Sequence, residues 1–451
     1  MPVRFAMSAS VARLVGRSRP NPRHPAAERS AGRGRGHLAA LDGLRGCAVV
    51  AVLLFHAGHL DGGFLGVDLF FVLSGFLITG LLLREAADRG RIDLAAFWGR
   101  RARRLLPALA VMGVGTLLLA WAFGPPALLR LALDDAPWVA AQGVNWHYVA
   151  ERVGYWDSSD TRLFAHLWSI AVEWQFYVVW PLVVVAAARG RAGEWRVAVL
   201  AAAGALGSLL LMVDLADLTD GVDTTRAYEG TDTRAFSLLL GALVATAPVR
   251  RLFGRVPRPA ADLAGALLGC GLVGSWLLTE GQNAPGLFRG GMFAHSLASA
   301  VLIGLLAGAP DGRTGRLLGG AVPRRLGELS YSLYLWHWPV YLLLPEAIGI
   351  GGVAIGGWGR TAVAIGLSLG AAVLSRIWVE DPVRFRARWA IGWRGLVALA
   401  TATAVAAVVW AAIPRPHPGA GTVDVDRLLA PGAAVAGIGT GTGIGIGIGE
   451  D

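Results

Sequence analysis

The chain has 451 residues, 55% of them hydrophobic and 16% charged, far from the roughly 25% charged residues of a soluble globular protein. Its 41 basic side chains are all arginine and its formal net charge is +10, but the arginines sit in short segments between apolar runs, where they serve as topological anchors and anionic-lipid contacts and not as a nucleic-acid-binding stripe. The two cysteines, Cys47 and Cys270, lie inside apolar runs without paired-Cys spacing or a Cys/His cluster, so no zinc site is expected and they read as small core residues.

Residues 1–37 are rich in Arg, Pro and Gly and hold no apolar stretch of a cleavable signal, which predicts a disordered cytoplasmic tail. From Leu41 to Ile413 apolar runs recur at lengths of about 17 to 25 residues, each enough to cross a hydrocarbon core of about 30 Å as a helix. They predict spans over 41–58, 64–83, 105–123, 166–188, 197–214, 234–248, 261–279, 291–309, 326–345, 357–378 and 395–413. The fold class is therefore all-α and polytopic, with about eleven transmembrane helices in one bundle. With the N-terminus in the cytoplasm, the inside segments hold 30 arginines and the outside segments 7, while Arg45, Arg234, Arg360 and Arg376 fall within spans or at their edges. That asymmetry obeys the positive-inside rule and puts the C-terminus on the extracytoplasmic side of a plasma membrane.

The stretch Leu131 to Tyr148 is apolar yet carries Asp134, Asp135, Pro137 and His147. Counting it as a span would invert the later loops, so a re-entrant or interfacial segment lining a cavity is expected. Glycines in short spans, including Gly291, Gly304 and Gly308, suit close helix approach. The tail 414–451 ends in GIGTGTGIGIGIGED, a low-complexity repeat without a phosphate-loop lysine or hydrolase serine motif, to which no fold is assigned.

Ionisable side chains inside membrane helices are costly and commonly face a cavity or serve a site. Arg45 and His56 stand eleven residues apart in the first span, about three turns, so they share a face about 16 Å apart along the axis. A neutral imidazole there can act as general base toward a hydroxyl; equally, Arg45 can snorkel to the interface and His56 be a satisfied polar residue. Arg100, Arg101, Arg103 and Arg104 precede the third span, with Arg100 and Arg104 four apart on one helical face. Two such guanidiniums can fork onto phosphate oxygens, or they can simply anchor the helix. His166 and Glu173 are seven apart, two turns on one face. Glu173 can orient an imidazole, bind substrate or pair with an arginine from a neighbouring helix. Asp68, and His337 between Trp336 and Trp338, raise the same question, although the aromatics also fit an interfacial belt.

These residues sit in segments that resemble the acyltransferase 3 family. LDGLRGCAVVAVLLFHAG is similar to its first helix, with Arg45 and His56 separated by ten residues, and GGFLGVDLFFVLSGFLIT is similar to its second, with Asp68, Ser74 and Gly75. FWGRRARRLLPAL resembles its arginine motif through Arg100 and Arg104. HLWSIAVEWQFYVVWPL, YEGTDTRAFSLLLGALVA and LGELSYSLYLWHWPV follow in the family's order.

The resemblance implies a ten-helix acyltransferase domain over 38–380, a cytoplasmic loop over 381–394 and an additional helix over 395–413. It also implies an O-acyltransferase that takes an acyl group, acetyl being the expected one, from cytoplasmic acyl-CoA to a carbohydrate or lipid-linked sugar. Acyl-CoA is then a substrate, no tightly bound cofactor is expected, and membrane lipid is the other partner. In that reading His56 is the catalytic histidine, with Arg45 as its functional partner and Glu173 at the site, and Arg100 and Arg104 bind the donor. Asp68, Ser74, His166, Asp232, Arg234 and His337 line the substrate site. Two departures stand out: Trp174 occupies a position where many relatives carry a second glutamate, and many relatives continue into an esterase-like domain where this chain has a glycine-rich tail. A second acyl-transfer step within the residues given is therefore unsupported, whether or not the chain is truncated at its C-terminus relative to such relatives. The rival readings are a transporter of protons or anionic solutes, since such bundles also carry intramembrane Arg, His and Glu, and a non-catalytic membrane assembly partner.

Overall fold

A computed structural model describes residues 39–416 apart from 155–160, 191, 219–223, 282–283, 346–347, 351–352 and 387–391. The expected tail 1–37, nearly all of 414–451 and part of the loop 381–394 lie outside the described residues. The first three helices are α1 (Ala39–His56), α2 (Gly66–Arg89) and α3 (Leu94–Phe123). Local chemistry marks their ends. Gly90 closes α2 at φ +68°, a left-handed conformation that favours glycine. Asp93 caps α3 by accepting from the Ala96 N–H at 2.9 Å, which satisfies one of the free amides of the first turn.

Two short helices follow, α4 (Pro126–Ala140) and α5 (Val144–Glu151), over the stretch expected to be re-entrant or interfacial. They break at Gln142, whose φ is +56°. Next come α6 (Trp168–Ala187), α7 (Gly193–Leu218), α8 (Thr225–Glu229), α9 (Thr231–Ala245), α10 (Ala247–Phe253), α11 (Arg258–Leu278), α12 (Gly291–Gly308), α13 (Arg313–Leu318) and α14 (Ala321–Leu343). A two-stranded antiparallel hairpin, β1 (Ile348–Ile350) with β2 (Val353–Ile355), precedes α15 (Trp358–Ser375). Segments Arg376–Glu380 and Pro382–Arg386 continue from it, and α16 (Gly392–Ala412) is last.

Among the described residues nine helices are long and apolar enough to cross a membrane, and the α8 to α10 stretch, bent by 74° after Ala245, brings the number to ten where the bent pair is counted as one span. The 23-residue α14 has spanning length, but its Arg, Glu, Ser, Tyr and His side chains lower its hydropathy because it is turned into the bundle. Leucine, valine and tryptophan side chains such as Val179, Leu210, Leu267 and Trp393 stay exposed around the outside, a surface suited to lipid and not to water. The chain is a multi-pass membrane protein.

The centre of the bundle is made by two pairs, α1 with α14 and α2 with α9. Both depend on bare backbone. A Cβ at Gly327 would overlap the Asp42 carbonyl, and one at Gly75 or Gly241 would overlap the Leu238 or Val72 carbonyl. Such approach is how membrane helices gain packing. Contacts ascend together in each pair: Arg45 meets Ser330 while Leu53 meets Tyr341, and Asp68 meets Arg234 while Gly80 lies against Ala245. The members of each pair therefore run in the same direction. For α2 and α9 this requires an odd number of crossings between them, which α3, α6 and α7 supply, and a single extra crossing by α4 and α5 would make the pair antiparallel. Among the described residues α16 buries none of its own side chains and touches only α3 and α4 appreciably.

Candidate active site

Proline inside a helix removes the amide that would bond the carbonyl four residues earlier. This chain gives three such carbonyls to side chains from other helices. Pro339 frees Leu335, whose oxygen accepts from His166 Nε2 at 3.2 Å. Pro181 frees Tyr177, whose oxygen accepts from Trp98 Nε1 at 2.9 Å. Pro137 frees Leu133, whose oxygen accepts from Trp410 Nε1 at 2.7 Å. The first of these sets one wall of the site, because it draws His166 onto the same face of α14 as His337.

His56 is the last residue of α1 and half-buried. Its Nδ1 lies 2.9 Å from His337 Nε2, and its ring packs against Trp338 with centroids 4.4 Å apart. His337 is fully buried, with Nδ1 2.6 Å from the Tyr334 carbonyl and its ring 5.4 Å from that of His166. Tyr334 donates its hydroxyl to the His166 carbonyl at 2.8 Å, Ser169 lies 2.7 Å from the same hydroxyl, and Trp338 donates to the Arg162 carbonyl at 3.0 Å. Three histidines distant in sequence thus form one cluster at the end of α1.

The other end of the shared α1 face is cationic. Arg45 donates through Nε to Ser330 at 3.3 Å, and its charged neighbours are Arg104, Glu173 and Asp42. Arg101 has Arg104, Arg384 and Arg100 as cationic neighbours, Arg384 being brought in by the packing of 376–386 on α3. Arg100 itself turns to Glu85 at 3.2 Å, and Glu85 also holds Arg89 at 3.3 Å. The expected pair of Arg100 with Arg104 is therefore divided between two environments. Arg101, three residues before Arg104 and so also on its face, joins Arg104 instead.

Among the described residues Glu173 meets neither His166 nor an arginine within ion-pair distance. One of its oxygens accepts from the hydroxyls of both Ser74 and Tyr177, which are themselves 3.3 Å apart. The seven-residue spacing misleads because His166 lies in the 3₁₀ turn Ala165–Leu167, ahead of α6. Tyr177 was not a sequence candidate, although its position four residues after Glu173 on α6 is the signal that would have found it.

The remaining candidates form separate networks. Asp68 and Arg234 pair with each other at 2.9 Å, both side chains wholly buried, and Ser237 donates to the same Asp68 oxygen at 2.9 Å. Arg234 lies over the rings of Tyr228 and Trp168, 5.0 and 5.5 Å from their centroids. Asp232 is held by both terminal nitrogens of Arg226, at 2.8 and 2.6 Å. In α4, Asp135 accepts from Arg162 at 2.5 Å and from the Tyr148 hydroxyl at 3.0 Å. Burial pushes its carboxyl above the usual carboxylate range, and the Arg162 charge opposes that shift.

Among the described residues no group of three or more His, Cys, Asp or Glu side chains is arranged to hold a metal ion. What α1 does join is an imidazole cluster suited to proton transfer and a guanidinium cluster suited to a polyanion, about 16 Å apart.

An acyltransferase domain of the acyltransferase 3 type matches residues 38–377. The chain is 36% identical over 356 residues to a provisionally named peptidoglycan O-acetyltransferase of Bacillus subtilis, a match covering 77% of this chain and 55% of that protein. It is 33% identical over 359 residues to a peptidoglycan O-acetyltransferase of Listeria monocytogenes, covering 78% and 56%. To a provisionally named O-acetyltransferase of Staphylococcus aureus it is 32% identical over 368 residues, covering 79% and 59%. The chain spans little more than half the length of these curated relatives. No solved structure matches it.

Proposed function

This chain belongs to the acyltransferase 3 family, and from that premise we propose that it transfers an acyl group, acetyl in the simplest case, from cytoplasmic acyl-CoA to a carbohydrate hydroxyl of the cell envelope. The observation that carries the reading is the two-ended face of α1, with His56 against His337 at one end and Arg45 beside Arg104 at the other. The donor phosphates sit among Arg101, Arg104 and Arg384, where fork-like guanidiniums bind them strongly. The donor's long flexible arm then carries the thioester along α1 toward His56.

His56 takes the proton of the acceptor hydroxyl as its oxygen attacks the thioester carbonyl. The tetrahedral intermediate collapses with loss of the C–S bond, and the leaving thiolate receives that proton. The products are an acyl ester and free CoA. Glu173 keeps Ser74 and Tyr177 ordered beside Arg45, so its role is to shape the passage between the two ends.

The arginine asymmetry supports an N-terminus in the cytoplasm and a plasma-membrane location. The Arg-rich start of α3 then faces the donor pool, while the end of α1 faces the envelope. The relatives named for peptidoglycan make a peptidoglycan-type sugar, free or lipid-linked, the first acceptor to test. The purified chain incubated with labelled acyl-CoA and envelope glycans should yield an acylated glycan by mass analysis. Donor uptake into vesicles without any acylated product would favour transport instead.

A further inference from the structure

The two ring nitrogens of His337 face partners of different kinds. Nδ1 lies 2.6 Å from the Tyr334 carbonyl oxygen, an atom that only accepts, so Nδ1 carries a proton. In a neutral ring that leaves the lone pair on Nε2, which lies 2.9 Å from His56 Nδ1. One of these two nitrogens must donate, and His337 Nε2 has no proton to give. His56 therefore carries its proton on Nδ1 and its lone pair on Nε2.

A doubly protonated His337 would reverse that contact, but it would put a cation in a fully buried position. The titratable groups around it are His56 on α1, His166 ahead of α6, and Tyr334 and Tyr341 on α14. Among the described residues none is a carboxylate, and a buried charge without a counter-ion is strongly disfavoured. His166 cannot reverse the arrangement either. Its Nε2 proton is committed to the Leu335 carbonyl freed by Pro339, and its Nδ1 has no hydrogen-bond partner among the described residues.

We propose that His337 is a positioning residue that holds His56 in the Nδ1–H tautomer, leaving Nε2 as the basic atom of the acyl-transfer reaction. The inference rests on the reading of His56 as general base. When His56 Nε2 takes the hydroxyl proton, its Nδ1–H bond to His337 becomes charge-assisted and stronger, so the contact favours the transition state over the ground state. His337 keeps its own Nδ1 proton throughout, and the transferred proton leaves from His56 Nε2 with the thiolate. The part is the one a carboxylate plays beside the histidine of a serine protease, here taken by a neutral ring whose tautomer is fixed by a backbone carbonyl.

The test uses the full chain in lipid nanodiscs, labelled with ¹⁵N-histidine. The His56 resonances, assigned by their loss in His56→Gln, should report Nδ1–H with an unprotonated Nε2 in mildly alkaline buffer. In His337→Leu they should shift toward Nε2–H. That variant should lose about 10²- to 10⁴-fold in kcat with the donor KM little changed, whereas His337→Gln, whose amide oxygen can still accept, should recover part of the loss. A wild-type His56 in the Nε2–H form, or His337→Leu turning over like wild type, overturns the proposal. The tautomer is read without turnover, so absence of acyl transfer counts against the proposed activity and a wrong tautomer counts against this inference.

Discussion

Arg234 and Asp68 meet at 2.9 Å with both side chains wholly buried, joining α9 to α2 where Gly75 and Gly241 bring the two backbones together. Removing one partner of such a pair strands the other charge and costs about 3 to 5 kcal/mol. Asp68→Ala and Arg234→Ala should each lower the melting temperature and folded yield in detergent before any effect on turnover is seen. A variant as stable as wild type but inactive would place the pair in substrate contact.

The same crossing gives a steric prediction. Gly75→Ala drives a methyl group onto the Leu238 carbonyl, and Gly241→Ala does the same to Val72. Neither backbone can yield without separating the helices, so each should cost about 1 to 3 kcal/mol, the usual range for overpacking. Gly113→Ala, in α3 with nothing within 4 Å of the added atom, is the control, and thermal unfolding of the three variants reads the difference.

Donor binding should separate the arginines of one motif. Arg104→Ala and Arg101→Ala should weaken acyl-CoA affinity by about 1.5 to 3 kcal/mol per lost charge-assisted contact. Arg100→Ala should weaken it much less, because Arg100 is engaged by Glu85. Lysine at 104 should restore only part of the affinity, since it lacks the bidentate fork. Titration calorimetry with a non-hydrolysable acyl-CoA analogue reads all four, and equal losses at 100 and 104 would contradict the division.

Orientation is testable at two loops. With Cys47 and Cys270 replaced, a cysteine at Glu280, between α11 and α12, should react with an impermeant reagent in intact cells. One at Asp311, between α12 and α13, should react only after the membrane is opened. The reverse pattern would place the donor site outside.

Most of the span positions were legible, because a hydrocarbon core demands long apolar runs whatever else the sequence does. α14 was legible too, although its polar residues hide it from a hydropathy measure. The partners within the bundle were not. Spacing puts Arg100 and Arg101 equally on a face with Arg104, and only the packing of 376–386 on α3 decides which one joins it. His166 and Glu173 were expected on one face, but the 3₁₀ turn before Trp168 sends the histidine to α14 and leaves the carboxylate to Ser74 and Tyr177. His56 and His337 are 281 residues apart, and no local pattern reports a contact at that distance. Pro339 and its freed carbonyl were present in the sequence, but their partner depended on the fold.

The role of His56 as general base is decided by turnover of His56→Gln in lipid nanodiscs with labelled acyl-CoA and an envelope glycan. Glutamine keeps polarity and approximate volume but cannot take a proton near neutral pH. At least a 10²- to 10⁴-fold loss of acylated product is expected, the usual worth of general-base help, with donor affinity and melting temperature close to wild type. A folded His56→Gln protein that acylates the glycan at a near wild-type rate would contradict that role.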